Sequence, residues 1–107
     1  MKDKNQNRQG DVWIEKVNHT ISKDAKKLNR DAGRIVLAYG EVTGHAHAIK
    51  SNNAELFEEA DGQWYLSVNG VVTVEHEEHG AIELTTGTYL VGVQRQYTPQ
   101  AIRRVED

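Results

Sequence analysis

Four of the five histidines in this 107-residue chain fall into two short clusters. The first is in Gly40-Glu41-Val42-Thr43-Gly44-His45-Ala46-His47-Ala48-Ile49, the second in Glu75-His76-Glu77-Glu78-His79. The first run reads as β-strand, and side chains two apart on a strand share a face. His45 and His47 are therefore expected side by side, roughly 6–7 Å apart at the backbone. That spacing suits two ligands of one metal ion. In the second cluster Val72 and Val74 mark the core side of a strand, so His76 is expected on the same side. His79 follows three residues later, and needs a bulge or a turn at Gly80 to return to that face. The competing expectation is that His45 and His47 lie on a solvated face while His76 is a hydrogen-bonded core residue.

Composition narrows the chemistry. There is no cysteine, so a metal site must be built from His, Asp and Glu, and the ions expected are Zn²⁺, Fe²⁺, Mn²⁺ or Ni²⁺. Residues 1–34 carry nine Lys/Arg against five Asp/Glu, whereas residues 35–90 carry one lysine against nine acids. The acidic part holds both histidine clusters. Such a surface attracts cations and repels phosphate chains, so nucleic acid is not an expected partner. A small molecule or another protein is; neither identity nor oligomeric state is legible. The opening residues have no apolar core of a secretion signal, and no apolar run nears the ~20 residues that span a bilayer. A cytoplasmic protein, away from membranes, is the expectation.

The elements that must position the histidines are short and extended. Residues 1–9 are polar and aperiodic and are expected to form a disordered arm, followed by a single β domain over residues 10–107. Strands are expected at Val12–Val17, with Trp13 as a core or rim anchor, and at Arg34–Tyr39, apolar on both faces like a central strand. Ser22–Arg30 is expected to be a basic surface loop. The histidine strand, Val42–Lys50, ends at the Ser51-Asn52-Asn53 turn. Ala54–Glu58 and Gln63–Val68 flank Ala60-Asp61-Gly62, a hairpin signal, with Trp64, Leu66 and Val68 facing inward. Asn69-Gly70 reads as a two-residue hairpin turn pairing that strand with Val71–His76. Ala81–Leu84 and Thr88–Gln96 complete the set, and Thr98-Pro99 suits the start of a short C-terminal helical turn. Seven to eight short antiparallel strands at about ten-residue spacing indicate an all-β sandwich or small barrel.

Two resemblances bear on these residues. Gly40 and His45-Ala46-His47, followed by Glu55 and Gly62, resemble the first motif of the cupins, small metal-holding β-barrels; the second cupin motif has no counterpart. That resemblance implies His45, His47, Glu55 and His76 as ligands. The runs Gly40–His47, His76–Gly80 and Gln94-Arg95-Gln96-Tyr97 resemble a group of small bacterial and phage proteins without an assigned role. This second likeness implies a compact stand-alone domain and supplies no activity.

The expectation from sequence is a metal-binding β domain with His45, His47, His76 and His79 as ligands, supplemented by Glu41 or Glu55. Its chemistry would be metal-assisted hydrolysis, with Glu77 or Glu78 taking the proton of a bound water. The alternative is a non-catalytic binding or assembly module of phage or mobile-element origin.

Overall fold

A computed structural model describes residues 6–39, 45–77 and 79–93. Among them are ten strands: β1 (Gln6–Gln9), β2 (Val12–Val17), β3 (Lys26–Lys27), β4 (Ile35–Tyr39), β5 (Ala46–Ile49), β6 (Ala54–Glu58), β7 (Trp64–Val68), β8 (Val72–Val74), β9 (Ile82–Leu84) and β10 (Gly87–Val93). There is no helix among the described residues, and hence none long and apolar enough to cross a membrane. Every strand pairing is antiparallel. One sheet has the order β1-β2-β10-β7-β6-β3, and two smaller ladders, β4-β5 and β8-β9, face it. The all-β architecture expected from the sequence is therefore present, as a sandwich of more and shorter strands than the seven or eight anticipated.

Alternation builds the core. Val12 and Ile14 are fully buried while Trp13 and Glu15 between and after them are partly exposed. Leu56, Leu66, Val68, Tyr89 and Val91 extend this inner face across the large sheet. Ile35, Leu37, Ile49, Val72, Val74 and Leu84 meet it from the two small ladders, forming one continuous cluster. Each fully buried Leu or Ile contributes about 1.5–3 kcal/mol of burial, which gives even three-residue strands such as β8 and β9 a fixed place. Trp13 caps the sheet rather than entering it. It lies opposite Gly92, where an added β-carbon would stand 2.3 Å from the indole ring.

Several expectations change here. Residues 6–9, expected within a disordered arm, form β1 against β2, with Gln9 opposite Val12 and Gly10-Asp11 as a two-residue turn. Gly10 has φ +58°, the positive value that the first position of a type II′ hairpin turn demands. The Asn69-Gly70 turn does not join β7 to β8 in a hairpin. β7 pairs with β6 and β10, and β8 pairs with β9. Gly70 does take positive φ, +99°, but it carries the chain from one layer to the other. Asn69 N–H donates to Asn53 O at 2.8 Å and Gly70 N–H to Thr86 Oγ1 at 2.7 Å. The Asp61-Gly62 hairpin is where expected, closed by Gly62 N–H to Glu59 O and Glu59 N–H to Gln63 O, each 2.9 Å. β4 is not a central strand, since it pairs with β5 alone. Within the expected basic loop, Lys26–Lys27 adds a short edge strand to β6. The helical turn expected at Thr98-Pro99, and the last residues of the strand expected to run to Gln96, lie outside the described residues.

The loop between β2 and β3 is fastened by its charges. His19 stacks on Tyr65, ring centroids 4.0 Å apart, and its Nε2 lies 3.0 Å from Glu59 Oε2. Ser22 N–H donates to the same carboxylate oxygen at 2.9 Å. Hydrogen bonding from Ser22, and then from His19, holds the Glu59 carboxyl below its ordinary range. Arg30 donates to three backbone carbonyls, those of Gly33, Ser51 and Ala54.

Two stability measurements check this account. Gly92→Ala must displace the Trp13 ring, so its denaturation midpoint is expected to fall, by about 1–3 kcal/mol as for other overpacking changes; a midpoint equal to the parent's would contradict the packing. Because the folded value of Glu59 is depressed, its contribution is present above the unfolded value of about 4.3 and is lost as pH falls through the lower folded value. Melts of the parent and Glu59→Gln should therefore differ near neutral pH and converge in acid.

Candidate metal centre

The histidine clusters meet because β5 and the end of β8 are joined by one bridge. Ala48 N–H donates to Glu75 O at 3.0 Å, and Glu75 N–H returns to Ala48 O at 2.8 Å. Continuing that register by one residue sets His47 opposite His76, in the non-hydrogen-bonded position where side chains approach most closely. Their ring centroids are 4.2 Å apart. A further step sets Ala46 opposite Glu77. There the side chain replaces the ladder carbonyl, and Ala46 N–H donates to Glu77 Oε1 at 3.0 Å.

Both faces of β5 are buried, and the histidine face is the one that joins the core cluster, through Ile49. His47 is 4% exposed and Ile49 is fully buried. The pairing of β4 with β5 carries a bulge between Val36 and Ala38, immediately across from His47. His45 lies diagonally from His76, centroids 5.7 Å apart and nearly perpendicular. His79, which strict alternation would send outward, comes back to 4.7 Å from His76 and 6.0 Å from His47. All four clustered histidines thus share one locality.

Ligand atoms of His45, His76 and Glu77 lie within 4.8 Å of one another. Four ligands on arms of about 2.1 Å stand about 3.4 Å apart around a tetrahedral ion, against a separation of up to 4.8 Å here. Glu77 is exposed and held anionic. The Ala46 and its own backbone N–H groups, and then the nearby His45 and His76, lower its carboxyl below the ordinary range. His76 Nδ1 accepts a long hydrogen bond, 3.3 Å, from His79 N–H. Beside the trio opens a groove of about 280 Å³ lined by Ala46, Ala48, His76 and Glu77, with Arg34, Lys50 and Glu75 around them.

The other residues singled out from the sequence are placed differently. Glu55 lies on β6 with its carboxylate 2.6 Å from Lys27 Nζ, in a groove shared with Leu28, Asn29 and Arg30 rather than with the histidines. The cupin-like ligand set is therefore not assembled around Glu55. Glu77, expected as a proton acceptor, stands among the three residues whose donor atoms converge. Glu41 and Glu78 lie outside the described residues.

Sequence reasoning missed Gln9 and Gly10. Gln9 is 2% exposed. Its amide nitrogen donates to Val74 O at 3.0 Å and Gly80 O at 2.8 Å, and its oxygen lies 2.8 Å from His47 Nδ1. Gly10 passes so close that an added β-carbon would stand 2.7 Å from His79 Nε2 and 3.3 Å from His47 Cε1. The signal available was Gly10-Asp11 itself, a hairpin dipeptide whose first arm must come from the polar residues before it.

Comparison with known proteins adds a family and no activity. No curated protein and no solved structure matches the chain. A family model described as a domain of unknown function, DUF8820, matches residues 8–94. That span holds Gln9, Gly10, all five histidines and the strands from β2 to β10. The chain belongs to the DUF8820 family of domains of unknown function.

Proposed function

We propose that this domain binds one divalent transition metal between β5 and the segment after β8. The ligands are His45, His76 and Glu77, with His47 and His79 closing the site from the core and from the Gly80 turn. The observation that carries this reading is the convergence of three donor atoms within 4.8 Å, beside the bridge that joins the two small ladders among the described residues. Imidazole and carboxylate donors without thiolate suit Zn²⁺, Fe²⁺, Mn²⁺ or Ni²⁺. An anionic Glu77 beside imidazoles supports the same choice, because a metal dication offsets a carboxylate that the surrounding N–H groups keep ionised.

Such an ion lowers the pKa of a bound water, and the chemistry proposed for the site is metal-assisted hydrolysis. The groove along Ala46, Ala48 and His76 supports a small-molecule substrate, since its volume of about 280 Å³ falls near the lower end of ligand pockets, at roughly 300 Å³. In this arrangement Glu77 belongs to the ligand set instead of acting as the general base.

Elemental analysis of protein purified without an affinity tag should find a transition metal near one equivalent. Calorimetric titration of the metal-free protein with Zn²⁺ should give a single site. His45→Ala and His76→Ala should each weaken it at least tenfold, about 1.4 kcal/mol. His19→Ala, which alters a ring stacked on Tyr65 instead, should bind like the parent. If neither cluster variant changes the affinity, the reading fails, and the non-catalytic binding or assembly module is the better description.

A further inference from the structure

We propose that Gln9 is the positioning residue of the histidine site: its side-chain oxygen selects the His47 tautomer that carries its proton on Nδ1 and keeps the lone pair on Nε2, the nitrogen that would join His45, His76 and Glu77 as a further ligand. The tautomer half of this proposal stands on hydrogen bonding alone. Only the ligation half rests on the metal reading above.

The Gln9 amide can face only one way. Its NH₂ group meets the carbonyl oxygens of Val74 and Gly80; the reversed amide would set its oxygen against both. The side-chain oxygen is thereby aimed at His47 Nδ1, 2.8 Å away, and an oxygen without a proton is satisfied only by a donor. His47 must donate from Nδ1, and in the neutral ring the lone pair then resides on Nε2. Both residues are buried, at 2% and 4% exposure, so water does not compete for these bonds and breaking one leaves a desolvated polar group. A ligating imidazole whose second nitrogen donates to an oxygen acceptor is the arrangement by which proteins fix ring orientation and raise basicity.

Gln9 is also the one described residue of β1 that is fully buried. Gln6 and Arg8 point outward, while half-buried Asn7 shares the inner face with Gln9, whose hydrogen bonds to Val74 and Gly80 tie the strand to the opposite layer. The N-terminal hairpin is thus an outer support of the site and not an appendage.

Nitrogen-15 spectra of the imidazoles, recorded on metal-free protein above pH 7, read the tautomer directly. His47 in the parent should be protonated at Nδ1. In Gln9→Met, which keeps length and removes the hydrogen bonds, the Nε2-protonated form should become populated, and Zn²⁺ affinity should fall about ten- to a hundredfold. A parent His47 protonated mainly at Nε2 overturns the proposal. So does a folded Gln9→Met protein with an unchanged tautomer or unchanged Zn²⁺ affinity against a binding parent. If Gln9→Met does not fold, the parent spectrum decides alone. A parent with the Nδ1 proton that binds no Zn²⁺ leaves the tautomer selection standing and removes the metal reading.

Discussion

Two reciprocal hydrogen bonds between Ala48 and Glu75 hold the histidine end of this domain together. Without them β4-β5 and β8-β9 are two-stranded ladders, and a two-stranded ladder is marginal on its own. With them the small ladders become one layer that can face the large sheet. The same two bonds set a register, and the register decides which side chains meet. One residue along from a hydrogen-bonded pair is a close pair, and here that pair is His47 with His76. Fold and site therefore share a single constraint, and a one-residue slip would turn both histidines to the other face.

Side-chain hydrogen bonding explains why the cluster tolerates being partly buried. An imidazole and a primary amide inside an apolar sandwich are costly unless every donor and acceptor is met. Gln9 and His47 meet each other, and Gln9's remaining donors meet Val74 and Gly80. No buried side-chain nitrogen or oxygen among the described residues lacks a partner. Burial decreases outward along the cluster, from His47 in the core through His45 and His76 to exposed His79 and Glu77. A rigid nitrogen deep inside and adjustable ligands at the rim is an arrangement suited to closing around a small ion.

Much of this was legible in the residues. Alternation in Val12–Val17 and Trp64–Val68, and the Asp61-Gly62 turn, gave the strands and one hairpin, because those signals depend on nearest neighbours. That His47 and Ile49 share a face followed from the same two-residue period; which face of that strand turns inward did not, because Ala46 and Ala48 on the other side are small enough to be buried as well. Strand partnership was less accessible. Asn69-Gly70 announces positive φ at Gly70, which the backbone adopts, but a turn residue does not say whether the chain folds back or crosses to another layer. β1 was invisible for a different reason: Gln6-Asn7-Arg8-Gln9 has no apolar residue to signal a buried face, and its one buried side chain is held by hydrogen bonds. Glu55 misled through the likeness to the first cupin motif. Its strand neighbour across the edge is a lysine segment, and the nearer cation takes the carboxylate.

The central claim is that the histidines opposite the Ala48–Glu75 bridge hold an ion. Zinc-edge X-ray absorption on the Zn²⁺-loaded protein reports the ligands without mutation. The account predicts a first shell of nitrogen and oxygen at about 2.0–2.1 Å, with the outer-shell scattering of at least two imidazoles. A first shell of oxygen alone, without imidazole scattering, would contradict it.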